Sequence, residues 1–331
     1  MLGLLAGCRT APPSALSRYE FTEPHMWTLW HITLYAPDEA TARAAVRAAF
    51  ARVAKLDEMM TDYVPDSELV LLSYSPANVP VKVSDDLFEV IQFSQAISQQ
   101  TDGAFDMTVG PVVQLWRRAR RQHALPPAGQ LAAARQLVGW QKLKLDPKNK
   151  SVMLLAANMR LDLGGIAKGY AADAALRVLR EKGVTRALVA ASGDLAIGNP
   201  PPGKKGWRVG IGEVVGRTNT VAEMLLLHNA GVSTSGDAEQ FVEFDGIRYS
   251  HIVNPHTGVG LTNRIQATII ADCATRSDAL ATAVCVLGPE RGLKTIDADA
   301  RTAAFILVPR SGTNQVTLKS WRFQQMETRS R

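Results

Sequence analysis

The sequence predicts an α+β fold with largely antiparallel sheets and packed helices. Stretches typical of strands are interleaved with helical patterns, without the strict strand–helix–strand rhythm of a parallel sheet. Asp245-Gly246 separates two strand-like stretches, as expected for a two-residue hairpin turn. The glycine-containing segment at residues 160–174 matches neither GxGxxG nor GxxxxGK[ST]. These observations argue against a Rossmann fold.

The first half of the chain alternates short strands with helices. We expect a strand at residues 27–36 and a long helix at residues 38–60, where apolar side chains recur at helical spacing. Ser84 is a good N-cap for a helix that ends at Gly103, and Gly110-Pro111 begins another helix. The remaining elements expected here are a strand at 79–83, a strand pair at 143–145 and 152–155 with a turn at 147–150, and a helix that ends at Gly183.

The second half of the chain is richer in strands. The strands predicted there span residues 186–191, 207–211, 221–227, 239–244, 247–253, 265–271, 304–308 and 316–323. One helix is predicted at residues 278–287, and residues 199–205 form a loop rich in proline, glycine and lysine.

Composition excludes several classes of protein. A chain of 331 residues with 46% hydrophobic residues has ample core, and no segment approaches the roughly 20 apolar residues of a membrane span. The net charge of +6 does not indicate nucleic-acid binding. We interpret the basic cluster at residues 117–121 as a solvated helix face, with docking on an acidic partner or anionic lipid as the alternative. Cys273 and Cys285 lack metal-ligand spacing and are expected to be free, buried thiols.

The N-terminus predicts a tethered protein. Leu5-Ala6-Gly7-Cys8 resembles the lipobox of bacterial lipoproteins, although the basic region that normally precedes it is missing. Residues 9–17 have the composition of a tether. We therefore divide the chain into a truncated lipoprotein signal and tether at residues 1–18 and a catalytic domain at residues 19–331. An untidy cytosolic N-terminus is the alternative.

Residues 160–174 contain a candidate anion site. Asp162 ends a short apolar run, and Gly164 and Gly165 follow it. Lys168 lies one turn into an alanine-rich helical pattern. Glycines allow the backbone to approach a ligand closely, and a helix N-terminus favours anions. A glycine turn before a surface helix remains the alternative.

Asp278 and Thr282 form a candidate metal site. They are four residues apart in a helical pattern and therefore share one face. Their oxygens suit Mg²⁺, which also takes backbone carbonyls and substrate phosphates. The alternatives are a capping role for Asp278 and a bond from Thr282 to the helix backbone.

His251 is the candidate general base, because a histidine near a strand end can take up a proton near neutral pH. A structural role for this histidine is the alternative, and His256 is expected to be solvated. Asp106 and Asp194 lie in glycine loops, where they either form turns or contact a ligand.

Six segments, in this order along the chain, resemble the motifs of the ApbE-type flavin transferase family, the FAD:protein FMN transferases. The segments are MMTDYVPDSEL, GAFDMTVGPVVQLW, LDLGGIAKGYAADA, GVSTSGDAEQF, YSHIVNPHTG and SDALAT. The resemblance covers nearly the whole chain after the tether. It implies an ApbE-like (T-fold-like) single catalytic unit that transfers the FMN half of FAD, with Mg²⁺, to a Thr or Ser hydroxyl of a target protein and releases AMP.

The resemblance also implies site residues. The FAD site would be lined by Met26, Tyr63, Ala104, Phe105, Asp106, Asp162, Lys168 and Ile252. The metal would be held by the Gly165 carbonyl, Asp278, the Ala281 carbonyl and Thr282, and His251 would be the base. Two positions depart from the family: Met-Trp27-Thr replaces Met-Gly-Thr, and Ser192-Gly-Asp replaces Gly-Gly-Asp.

The partners implied are FAD and an acceptor flavoprotein, such as an FMN-carrying subunit of a membrane redox complex. The lipobox-like segment adds a membrane anchor at Cys8 and a location on the periplasmic or envelope side of a bacterial membrane. An FAD pyrophosphatase that yields FMN and AMP remains an alternative, as does a non-catalytic periplasmic FAD-binding protein. Nucleic acid is not expected as a partner.

Overall fold

The computed structural model describes residues 15–213, 221–236, 241–309 and 315–330. Its strands are β1 (Ser17–His25), β2 (Thr28–Ala36), β3 (Val81–Lys82), β4 (Leu143–Asp146), β5 (Ser151–Leu154), β6 (Ala187–Ala191), β7 (Asp194–Ile197), β8 (Trp207–Glu213), β9 (Val221–Leu227), β10 (Ala230–Gly236), β11 (Phe241–Phe244), β12 (Ile247–Ser250), β13 (Gln266–Ala271), β14 (Ala303–Pro309) and β15 (Gln315–Lys319). Its α-helices are α1 (Glu39–Met60), α2 (Glu68–Ser73), α3 (Asp85–Gln100), α4 (Gly110–Gln122), α5 (Ala128–Arg135), α6 (Ala167–Glu181), α7 (Ala274–Leu287), α8 (Pro289–Asp297) and α9 (Trp321–Ser330).

An eight-stranded sheet forms the centre of the molecule, in the order β1-β2-β6-β7-β10-β13-β14-β15. Every neighbouring pair in it is antiparallel. The predicted α+β class with antiparallel sheets is therefore confirmed. The sheet begins at Ser17, two residues before the boundary that the sequence suggested for the catalytic domain.

Three helices, α1, α6 and α7, pack together on one face of this sheet. Helix α1 begins as its sequence predicts, because the side chain of Asp38 accepts a hydrogen bond from the backbone N–H of Thr41 at 2.7 Å. Helices α6 and α7 are rich in buried alanine, so their axes can approach closely. The β8–β9 hairpin and α9 cover the opposite face and bury Phe305 and Phe323.

A smaller apolar cluster lies outside the two main cores. Helices α4 and α5 pack there against the loop that follows β12, through Val112, Trp116, Ala134 and Val253. This cluster holds that loop, which contains His251, beside α4.

Some predicted boundaries were wrong. Helix α7 begins at Ala274 rather than 278, because its N-terminal N–H groups are capped from another helix and no local capping residue marks the start. The strand predicted at 316–323 ends at Lys319, and Trp321 begins α9, whose apolar residues follow helical spacing. The strand predicted at 247–253 ends at Ser250. The sequence did not indicate β1, β7, β10, α2, α5 or α8.

Several expectations concern residues outside the described part of the chain. Cys8 and its lipobox-like segment lie there, as do the first two residues of the strand predicted at 239–244. In the part that the structure describes, Cys273 and Cys285 are both free, as expected, although only Cys285 is buried. No helix among the described residues has the length and apolar character needed to cross a bilayer.

Candidate active site

The start of α6 packs directly against α7, and glycines make this contact possible. A Cβ atom on Gly165 would lie 3.0 Å from the Thr282 hydroxyl oxygen and 3.3 Å from the ring of Phe105. A Cβ atom on Gly169 would overlap the carbonyl of Ala274 and lie 2.8 Å from Cβ of Asp278. The backbone N–H of Gly169 donates to Oδ2 of Asp278 at 2.9 Å. Segments separated by more than 100 residues in sequence therefore form one surface.

A charged cluster lies at this contact. Asp278 is only 3% exposed, and burial together with repulsion from Asp194 raises its pKa to about 7, against the attraction of Lys168. The ammonium group of Lys168 pairs with the buried carboxylate of Asp194. Burial alone would lower the pKa of Lys168, but Asp194 and Asp278 together raise it, so the lysine stays charged. Two carboxylates share one ammonium group, which leaves negative charge for a bound cation to balance.

The donor set fits a hard divalent cation. Asp278 and Thr282 lie one turn apart on α7, with Ala281 between them, and the hydroxyl of Ser235 lies 3.5 Å from that of Thr282. A helical carbonyl such as that of Ala281 has a second lone pair free for a ligand. Within the described residues, no group of three His, Cys, Asp or Glu side chains could hold a metal. A cation here would depend on one carboxylate, a hydroxyl and backbone carbonyls, which Mg²⁺ accepts.

Asp278 does not cap its own helix, but its carboxylate accepts a hydrogen bond from Gly169 in the first turn of α6. The residue that caps α7 is Asp173 on α6. Its carboxylate accepts from the backbone N–H groups of Ala274 and Thr275 at 3.0 and 2.8 Å. This cap fixes α7 relative to α6 and leaves Asp278 in the second turn.

A cavity of about 220 Å³ opens beside this contact. It brings together most of the residues singled out in the sequence, namely Tyr63, Ala104, Phe105, Asp106, Asp162, Gly165, His251, Ile252 and Thr282. Met26 and Lys168 do not line it. They line a second cavity of about 230 Å³, which shares Tyr63, Arg117 and Gly164 with the first, whereas Asp278 and Ala281 line neither. Gly164 therefore lies where the two cavities adjoin.

His251 is exposed and lies on the wall of the first cavity. The backbone on both sides of it is anchored to one residue of the returning loop. Ser250 donates to the carbonyl of Leu261 at 2.8 Å, and Leu261 donates to the carbonyl of Ile252 at 2.9 Å. The indole N–H of Trp116 on α4 ties the same loop through Gly258, at 2.8 Å. The histidine is therefore accessible on a fixed backbone.

Asp106 and Asp162 mainly organise the walls of the cavity. Asp106 accepts from Thr108 and from the backbone N–H of Trp140, at 2.7 to 2.9 Å, and burial raises its pKa against these bonds. Asp162 accepts from the backbone N–H of Gly164 at 2.8 Å. Any contact of these carboxylates with a ligand would be additional to their structural bonds.

Two arginines of the site were missed. Arg117 and Arg120 line the first cavity, so the interpretation of this cluster as a solvated face is wrong for both. The guanidinium of Arg117 pairs with Asp62, lies 3.0 Å from Asp162 and packs 4.5 Å from the centre of the Tyr63 ring. Nε of Arg120 is buried without a hydrogen-bond partner in the part of the chain described. The sequence did contain an indication of this, because the two arginines follow apolar residues 113 and 116 at helical spacing and so share a face with them.

The turn between β1 and β2 forms the rim of the second cavity. Met26 and Trp27 are its two central residues, with φ of 47° and 61°. Positive φ at both positions is typical of a type I′ turn, which favours glycine and asparagine. Trp27 is 89% exposed, and its ring centre lies 6.0 Å from that of Tyr63.

The sequence and the fold of this chain are similar to those of one known protein family. The ApbE family model matches residues 26–306. A Klebsiella pneumoniae (strain 342) protein named FAD:protein FMN transferase is 30% identical, with 98% of this chain and 94% of that protein covered. The crystal structure of the Pseudomonas stutzeri flavinyl transferase ApbE in its apo form is 30% identical with a TM-score of 0.83, covering 94% of this chain and 97% of that one. The flavin transferase ApbE from Vibrio cholerae is 25% identical with a TM-score of 0.82, covering 94% and 100%.

Proposed function

The chain belongs to the ApbE family, and we propose that it transfers the FMN half of FAD to a Ser or Thr hydroxyl of an acceptor protein, with release of AMP. One observation carries the proposal. Gly165, His251 and Thr282 line one cavity, and the buried carboxylate of Asp278 lies one helical turn from Thr282, against the first turn of α6. Such a set combines a cation site, a base and space for a nucleotide.

The reaction forms one bond and breaks another. The acceptor hydroxyl oxygen attacks the phosphorus of the FMN half, and the bond from that phosphorus to the AMP phosphate oxygen breaks. His251, exposed on a fixed backbone, takes the hydroxyl proton as the new P–O bond forms. AMP leaves with the electron pair of the broken bond. No other side chain known to line the cavity is as well suited to accept a proton near neutral pH.

Positive charge in the site opposes the charge of the diphosphate. A Mg²⁺ ion held by Asp278, Thr282 and the carbonyls of Gly165 and Ala281 would supply charge neutralisation when bound. Lys168 stays charged while paired with Asp194, and it lines the second cavity, where its ammonium group can also face a phosphate. Such preorganised charges typically contribute about 10²–10³ in rate each.

The location and the acceptor are also proposals. The lipobox-like segment ending at Cys8 supports an anchored lipoprotein on the envelope side of a bacterial membrane. At that location the protein would meet an FMN-carrying subunit of a membrane redox complex. The acceptor is defined chemically as a protein segment that presents a Ser or Thr hydroxyl to the diphosphate where the two cavities adjoin.

The test is covalent labelling. The protein is incubated with FAD, Mg²⁺ and purified FMN-carrying domains of membrane redox complexes, and flavin fluorescence is read in a denaturing gel. We expect a fluorescent acceptor band that EDTA abolishes, and that is absent when the acceptor Thr is replaced by Val. Release of FMN and AMP without any labelled acceptor would contradict the transferase and favour the pyrophosphatase.

A further inference from the structure

We propose that Trp27 forms an aromatic clamp with Tyr63 for the isoalloxazine ring of FAD, so that Trp27 selects the flavin end of the substrate. The inference deepens the proposed function and rests on it. It concerns a residue where this chain departs from the Met-Gly-Thr pattern that its motifs otherwise resemble.

The backbone at Trp27 is unfavourable for tryptophan. Its φ of 61° and that of Met26, 47°, are in the left-handed region. Bulky residues avoid this region because Cβ approaches the following carbonyl oxygen. The turn is held in this conformation by the backbone N–H of Met26, which donates to the carboxylate of Asp57 at 2.8 Å. Glycine would adopt the same conformation without strain, so stability does not explain the tryptophan.

Burial does not explain it either. Trp27 is 89% exposed and Tyr63 is 58% exposed, so neither ring contributes much to the core. Their ring centres lie 6.0 Å apart with planes tilted by 59°, which leaves ring surface of both residues accessible. Strained residues with exposed aromatic surface beside a substrate cavity are expected where a ligand ring stacks.

The surroundings of the clamp suit a wide, flat ring. Trp27 and Tyr63 line both the second cavity and an adjoining open groove of about 650 Å³. The guanidinium of Arg117 packs on Tyr63 and holds that ring in place. A three-ring isoalloxazine can occupy this broad, apolar opening, with the diphosphate directed towards Lys168 and Gly164 in the same cavity.

The chemistry of the reaction assigns the flavin, rather than the adenine, to the clamp. AMP leaves alone as a small molecule, so its ring can occupy the first cavity, which is lined by the buried Ala104 and Phe105. The flavin leaves joined to a protein, so its ring needs an opening wide enough for departure with that protein. The exposed side of the site is the one that carries Trp27.

The test separates the two ends of FAD. Binding of FAD and of ADP-ribose, which carries the diphosphate and adenosine without flavin, is measured by calorimetry in EDTA to prevent turnover. We expect Trp27→Gly to weaken FAD binding roughly tenfold, as loss of one stacking ring typically does, and to leave ADP-ribose binding within about twofold. Trp27→Phe should retain most of the FAD affinity.

Controls distinguish stacking from misfolding. Trp27→Gly relieves the backbone strain, so its thermal midpoint should equal or exceed that of the wild type. Trp321→Ala, which removes a 46% exposed tryptophan on α9, should leave FAD binding unchanged. FAD binding by Trp27→Gly as tight as wild type would overturn the clamp, as would an equal loss of ADP-ribose affinity. Failure of the wild-type protein to bind FAD at all would instead overturn the proposed function.

Discussion

The buried and the exposed parts of the site are built in opposite ways. On one side, α6 and α7 meet through glycine and alanine, and Asp278 and Asp194 are almost completely buried. On the other side, Trp27 and Tyr63 are exposed on a strained turn and a loop. The two carboxylates are thus held in fixed positions by the packed core. The two rings proposed to contact the flavin lie at the surface, where a ligand can enter and leave easily.

The largest expected effect is on the buried side. Asp278→Asn should lower FAD turnover by about 10²–10³ and remove its response to Mg²⁺, because the amide cannot balance a cation. Stability in EDTA should not fall, because the amide oxygen still accepts from Gly169 and the repulsion from Asp194 is gone. Turnover and thermal unfolding are measured on the same preparations.

Asp272→Asn is the matched control for this variant. It removes a carboxylate that is 45% exposed and pairs with Arg276 one helical turn away. Turnover within about twofold of wild type is expected, since exposed pairs contribute little. Wild-type turnover by Asp278→Asn would show that the buried cluster is structural only.

The next effect tests the close contact between α6 and α7. Gly169→Ala places a methyl group against the Ala274 carbonyl and 2.8 Å from Cβ of Asp278, so the helices must separate. We expect a loss of about 1–3 kcal/mol in the free energy of unfolding, together with lower turnover. Urea denaturation measures the first quantity.

Gly129 on α5 provides the comparison, because a Cβ there would meet no atom within 4 Å. Gly129→Ala should stabilise the protein by about 0.5–1 kcal/mol through its helix preference alone. Equal effects of the two substitutions would mean that the α6–α7 contact does not require glycine.

A third prediction concerns the residue that joins the two sides. Arg117→Met leaves the carboxylates of Asp62 and Asp162 facing each other with little access to solvent. We expect a loss of about 1–3 kcal/mol at neutral pH, less than for a fully buried pair. The double variant with Asp62→Asn should recover most of this loss.

The pH dependence of the third prediction has a defined sign. Burial and repulsion from Asp162 already raise the pKa of Asp62, and Arg117 opposes that rise. Without Arg117 the pKa of Asp62 rises further. The variant's loss in the free energy of unfolding is therefore fully present above this pKa, and it becomes smaller as the pH falls and the carboxyl group takes up a proton. Urea unfolding at neutral pH and in mildly acidic buffer should show this recovery. A deficit that grows on acidification would contradict the assignment.

The same contrast explains what the sequence could predict. The pairing of Asp278 with Thr282 follows from helical spacing, and Gly165 and Lys168 lie in one short segment. These candidate site residues could therefore be predicted from sequence spacing alone. The helix start at Ser84 and the Asp245-Gly246 turn are likewise local. Contacts between distant segments were not predictable in this way. The cap on α7 comes from Asp173, about 100 residues earlier, and therefore the start of that helix was misplaced.

The exposed side needed the structure for a similar reason. Nothing in the sequence shows that Trp27 and Tyr63 meet, or that Arg117 lies on Tyr63 between two carboxylates. The arginine cluster resembles a solvated face because charge patterning does not distinguish a cavity from bulk solvent. The family resemblance implies glycine where this chain has Trp27 and Ser192, but the positive φ at each position is a structural result.

The smallest expected effect compares these two departures. Ser192 has φ of 56° in the β6–β7 turn and is exposed, as Trp27 is. Ser192→Gly should raise the free energy of unfolding by a few tenths to about 1 kcal/mol and leave FAD affinity unchanged, because serine supplies no ring to a cavity. Trp27→Gly should give a similar gain in stability but lose FAD affinity. If both substitutions leave FAD affinity unchanged, the tryptophan at this left-handed position has no role in FAD binding. If they differ only in affinity, the strain at Trp27 is retained for the ring it presents.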